Sequence, residues 1–146
     1  MIKILFVCHG NICRSAMAEF ILKDIVKKGG RKKDFSIASA AVSREETGNP
    51  VYPPARRELA RHGISCEGKT ARQITSADLR YYDRIYYMDR SNLRYLEQMF
   101  GPQEKFCPLL DREVADPWYT GDFTATWRDL AEGCQKIWEE QNTWTK

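Results

Sequence analysis

The chain has 146 residues and a mass of 17.0 kDa, enough for one domain that buries its own core without staples. It is 42% hydrophobic and 29% charged with a net charge of +3, which argues against disorder and makes no electrostatic case for nucleic acid. No apolar run approaches the roughly 20 residues of a membrane helix, and the N-terminus lacks a signal-peptide pattern, so a cytoplasmic protein with no membrane or nucleic-acid partner is expected.

The first element is the mostly apolar run Ile2 to Val7, which reads as a strand covered on both faces. After a turn, Met17, Ala18, Ile21, Leu22 and Ile25 recur at helical spacing until Gly29 and Gly30 stop the pattern. The basic run Lys27, Lys28 and Arg31 to Lys33 falls at that helix end, where cations complement the dipole. Phe35 to Ser39 reads as a second strand, followed by a loop containing Gly48, Asn49 and Pro50 and a helix from Pro53 to Arg61.

A short helix from Ser76 to Tyr81 precedes a third strand from Ile85 to Met88. Ser91 to Met99 reads as helix and Lys105 to Leu109 as a fourth strand. Trp127, Leu130, Ala131, Cys134, Ile137 and Trp138 then form the apolar stripe of a closing helix. Strands alternating with helices predict an α/β fold: a four-stranded parallel sheet flanked by helices in three layers, as one domain over residues 1–146. Ligands of such sheets bind at the carboxyl ends of strands where the order reverses, which directs attention to the turn after the first strand.

Residues 8–15 of that turn read CHGNICRS, placing Cys8 and Arg14 six positions apart between a strand and a helix. A short loop running into a helix N-terminus aims backbone N–H groups inward and adds the positive end of a dipole, a receptor for a tetrahedral anion. Gly10 is expected to allow the tight turn, and Asn11 to take a left-handed backbone while its side chain braces the loop. Arg14 offers a planar fork to two phosphate oxygens. The field that holds a phosphate dianion also favours a thiolate at Cys8, and Ser15 is placed to donate to the sulfur when it leaves. His9, Ile12 and Cys13 complete the loop. With five cysteines, no CxxC pair and only His9 and His62 as histidines, neither a disulfide scaffold nor a metal site is expected, and no cofactor is required. Cys66, Cys107 and Cys134 read as small core or surface residues.

Residues 7–15 with Met17, Ala18 and Glu19 closely resemble the low molecular weight protein tyrosine phosphatases. The resemblance extends through residues 39–41, 48–50, 61–64, Ala71 and Arg72, Met88 and Asp89 with Ser91 and Asn92, and Asp116 with Pro117. It implies hydrolysis of phosphotyrosine in proteins, or of small aryl phosphates, through a phosphocysteine at Cys8 with inorganic phosphate as product. Asp116 would be the general acid and then the base, its backbone held extended by Pro117. Trp118 and Tyr119 would form an aromatic wall for the phenol ring, although one of the pair reads equally well as a shield over the core. The resemblance also implies that Asn11, Ser15, Ser39 and Asp89 tie the loop to its neighbours, that Cys13 forms a protective disulfide with Cys8 under oxidants, and that Tyr119 occupies a position phosphorylated in some relatives.

The chain departs from the family at Ala16, usually proline, and at Glu45, where eukaryotic relatives often carry an aromatic. A carboxylate at Glu45 is expected to disfavour acidic flanks on a peptide and attract basic ones, with His9 lining the rim. Protein arginine phosphatase and arsenate reductase are the alternatives on the same fold. The first usually carries threonine where this chain has Ile12, and the second needs further relay cysteines. A phosphocysteine carrier of sugar uptake, or a phosphopeptide-binding module, would leave Arg14 or Asp116 without a task.

Overall fold

In the computed structural model, which describes residues 1–144 and side chains through 141, the four strands and five helices expected from the sequence follow the predicted order, with a sixth α-helix added before the last. They are β1 (Ile2–Cys8), α1 (Arg14–Lys28), β2 (Phe35–Ala41), α2 (Pro53–Arg61), α3 (Ser76–Tyr81), β3 (Arg84–Tyr87), α4 (Arg90–Phe100), β4 (Phe106–Pro108), α5 (Pro117–Thr120) and α6 (Phe123–Trp144). The strands form one parallel sheet in the order β2-β1-β3-β4. The chain steps outward from β1 to β2 on one side and to β3 and β4 on the other, so the carboxyl ends of β1 and β3 flank the reversal point.

β1 is buried because its side chains serve both faces in alternation. Ile4, Phe6 and Cys8 point into a core made with α1, α2 and α6, while Leu5 and Val7 join Ile85, Leu96 and Tyr82 on the α3 and α4 side. The apolar stripe of α6 is confirmed: Leu130, Cys134 and Ile137 are buried, with Trp127 and Trp138 packed against them. Gly133 lies on the same helix because a Cβ there would come within 2.4 Å of the Leu109 side chain, a clash that outweighs glycine's low helix propensity.

Several boundaries differ from the sequence reading. β1 extends one residue to Cys8 and β2 two residues to Ala41, because Cys8 pairs with Ala41 in the parallel ladder. β3 shifts back by one residue to Arg84–Tyr87, leaving Met88 to lead into the capping box of α4 formed by Asp89 and Asn92. β4 keeps only Phe106–Pro108. The segment at Asp116, read as loop, contains the short helix α5. Residues 145 and 146 of the expected domain lie outside the described residues. None of the helices among the described residues is long and apolar enough to cross a membrane.

Candidate active site

The cavity at the reversal point, about 380 Å³, is lined by the whole 8–14 loop together with Glu45, Glu46, Asp116, Trp118 and Tyr119. Two N–H donors and a hydroxyl converge on the Cys8 sulfur at its base. The Asn11 N–H lies at 3.3 Å, the Ser15 N–H at 3.4 Å and the Ser15 hydroxyl at 3.0 Å. No side chain caps the N-terminus of α1 at Cys13, so the positive end of a 15-residue helix opens toward the same point.

Asn11 shapes the loop as expected, with φ of 63°, a conformation that asparagine tolerates better than most residues. Gly10, by contrast, does not take a left-handed backbone. Its lack of a side chain serves a close approach instead, since a Cβ there would lie 3.2 Å from Glu46 Cγ. The Asn11 amide donates to Ser15 Oγ at 2.8 Å and to Ser39 Oγ at 2.9 Å, and its oxygen accepts from the Arg72 N–H.

That bracing runs deeper than the sequence suggested. Ser39 Oγ donates to Glu19 Oε1 at 2.6 Å, and Lys23 donates to Glu19 Oε2. The Lys69 ammonium bonds the Ser39 carbonyl at 3.0 Å and approaches Glu19 at 3.5 Å. Burial pulls the Lys69 pKa below its ordinary value, with Glu19 opposing the shift. A nearly buried carboxylate on α1 thus anchors the far side of the loop, its charge balanced by two lysines. Glu19 belongs to the quoted motif, but nothing local marks it as buried. Lys69 is 50 positions away, and only the fold unites them.

Arg14 is 2% exposed and joins three segments. Its Nη1 donates to Asp89 Oδ2 at 2.7 Å and to the Val114 carbonyl at 2.8 Å, while Nη2 lies 3.4 Å from Asp116 Oδ2. Burial works against the guanidinium charge, but Cys8, Asp89 and Asp116 more than offset it and raise the Arg14 pKa. Asp116 caps α5 by accepting the Trp118 N–H on Oδ1 at 3.0 Å, so one carboxyl oxygen fixes the local backbone and the other faces Arg14. Cys13 is buried, and burial, with Cys8 and Asp116 nearby, pushes its thiol well above the ordinary range.

At the mouth, Trp118 is 54% and Tyr119 85% exposed, so neither shields the core. Trp118 leans on Tyr52, ring centroids 4.8 Å apart. His9 Nε2 and Glu45 Oε2, 3.0 Å apart, also line the cavity. Ser15, Ser39 and Asp89 stand behind the cavity wall. Cys66 and Cys134 are buried and Cys107 half-buried, and none of the three lines the cavity.

Fold and site together define an α/β protein with an anion-receptive loop at the reversal point of a parallel sheet. The family follows from comparison. The profile described as low molecular weight phosphotyrosine protein phosphatase matches residues 3–144, and the chain belongs to that family. It is 38% identical over 146 residues to the low molecular weight protein-tyrosine-phosphatase YfkJ of Bacillus subtilis, covering 94% of each chain. The crystal structure of YfkJ superposes with a TM-score of 0.95 at 35% identity, covering 100% of this chain and 98% of the other. The crystal structure of a Drosophila arginine phosphatase also superposes, with a TM-score of 0.87 at 30% identity over 96% of this chain and 98% of that one.

Proposed function

We propose that this chain is a cytoplasmic protein tyrosine phosphatase, one catalytic domain over residues 1–146 acting on phosphotyrosine in proteins and on small aryl phosphates. The observation that carries the reading is the convergence of two N–H donors and the Ser15 hydroxyl on Cys8 at the base of a cavity walled by Arg14 and Asp116. Cys8 attacks phosphorus as a thiolate, forming the S–P bond as the P–O bond to the phenol breaks. Asp116, entering as the carboxylic acid, gives its proton to the departing phenolic oxygen. Loop N–H groups and the Arg14 guanidinium hold the equatorial oxygens, where charge develops in the transition state.

In the second step the Asp116 carboxylate takes a proton from water as its oxygen attacks phosphorus. The S–P bond breaks, inorganic phosphate forms, and the Ser15 hydroxyl stabilises the returning thiolate. Asn11, Ser39 and Asp89 hold the loop and Arg14 in register, an arrangement whose rigidity lowers the reorganisation needed at reaction. Trp118 and Tyr119 supply one face for the substrate ring.

Ile12 in the cavity lining favours a phenol over a guanidino group, and the absence of Cys66, Cys107 and Cys134 from the cavity disfavours an arsenate-reductase relay. Since an arginine phosphatase shares the fold, the deciding experiment compares kcat/KM on matched phosphotyrosine, phosphoserine and phosphoarginine peptides. Phosphotyrosine is expected to lead by at least about 100-fold, the scale of discrimination by pocket shape. A phosphoarginine peptide turned over faster would reverse the assignment.

Cys13 is proposed to protect the nucleophile through a Cys8–Cys13 disulfide, with peroxide as the two-electron oxidant and water as the by-product. Both residues line one cavity. Peptide mapping after mild peroxide should find that bond, together with activity that dithiothreitol restores. A Cys8 sulfonic acid without any disulfide would remove Cys13 from this role.

A further inference from the structure

The two sides of the cavity mouth are chemically unlike. One presents the exposed aromatics Trp118 and Tyr119. On the other, His9 stands between two groups brought together only by the fold. Besides its contact with Glu45, its ring meets Tyr95 of α4 at a steep angle, centroids 5.7 Å apart and planes inclined by 63°. Tyr95 remains 41% exposed, and the Glu45 side chain is more exposed still. The second Glu45 oxygen, Oε1, accepts no hydrogen bond among the described residues. A free carboxylate oxygen in the cavity lining and an open tyrosine ring just outside that lining thus both meet one imidazole.

The side chains that line the cavity include three carboxylates and one guanidinium. The carboxylates lining the cavity are Glu45, Glu46 and Asp116, while the lining guanidinium, Arg14, is buried. Arg44, Arg90 and Arg94 are exposed on the neighbouring loop and helix but do not line the cavity. An entering peptide therefore meets carboxylates in the cavity lining, a buried guanidinium, and exposed arginines on the neighbouring loop and helix.

We propose that Glu45 and Tyr95, bridged by His9, form a subsite for a cationic side chain of the substrate close to its phosphotyrosine. Glu45 Oε1 accepts the ammonium or guanidinium, and the Tyr95 ring covers its other side as a cation–π partner. His9 ties Glu45 to the loop that bears the nucleophile, so the cation site and the phosphate site keep a fixed separation. The inference rests on the phosphatase reading and names its substrate class, phosphotyrosine in a basic context.

The test measures kcat/KM on three phosphotyrosine peptides that differ only in flanking Lys, Ala or Glu, with p-nitrophenyl phosphate reporting the chemistry itself. Wild type is expected to prefer the Lys over the Glu peptide about tenfold, through KM, the combined scale of one exposed ion pair and one cation–π contact. Tyr95→Ala and Glu45→Gln should each lower that ratio about threefold, and Tyr95→Phe should keep it, because the ring and not the hydroxyl holds the cation. An unchanged ratio in Tyr95→Ala, or a wild-type preference for the Glu peptide, would overturn the subsite. Wild type that leaves p-nitrophenyl phosphate intact would overturn the phosphatase reading instead.

Discussion

Cys8→Ser is expected to abolish turnover of every aryl phosphate, by on the order of 10⁴-fold or more in kcat, while inorganic phosphate still binds. The reason lies in what surrounds the sulfur. The Asn11 and Ser15 N–H groups donate toward it, and the Ser15 hydroxyl lies within hydrogen-bonding distance. This environment suits an atom that already carries negative charge. A serine hydroxyl would need a base to remove its proton, and among the described residues no carboxylate or imidazole hydrogen-bonds the position 8 side chain. Phosphate binding relies instead on the loop amides, the α1 terminus and Arg14, which the substitution leaves in place. Steady-state kinetics with p-nitrophenyl phosphate and calorimetric titration with phosphate separate the two effects. A serine variant that kept a tenth of wild-type kcat would remove Cys8 as the nucleophile.

The sheet and the loop were legible because their signals are local. An apolar run, a glycine-containing turn and a 3.6-residue stripe place β1, the 9–13 loop and α1 without any tertiary knowledge, and the Cys8 to Arg14 spacing lies within that one stretch. What stayed hidden depends on partners far along the chain. Glu19 is an acid within the apolar run of α1, and its sequence neighbours name no partner for it. Its burial becomes tolerable only because Ser39, Lys23 and Lys69 meet it. Nothing beside Tyr95 in the sequence links it to the loop, and only the placement of α4 brings it to His9. Gly10 was understood as a conformational device, yet the side chain of Glu46 is what excludes a Cβ there. α5 was missed because a four-residue helix carries no periodicity, even though Asp116 followed by Pro117 is a sound capping pair.

Asp116→Asn separates the two chemical steps by leaving group. Asparagine keeps the shape of the side chain, and its amide oxygen can still accept the Trp118 N–H that fixes the start of α5. Proton transfer is what it loses. With phenyl phosphate, whose leaving group is strongly basic, kcat should fall about 10²- to 10⁴-fold, because phenolate must depart unprotonated. With p-nitrophenyl phosphate the first step should suffer far less, since nitrophenolate is a stable anion. Hydrolysis of the phosphocysteine still needs a base for water, so the intermediate should accumulate. Rapid mixing should then show a burst of nitrophenolate close to one equivalent per enzyme, followed by slow turnover, and acid quenching should trap phosphate on Cys8. Equal losses for both esters, with no burst, would mean that Asp116 shapes the wall beside Arg14 without handling a proton. The donor would then have to be sought elsewhere on the rim.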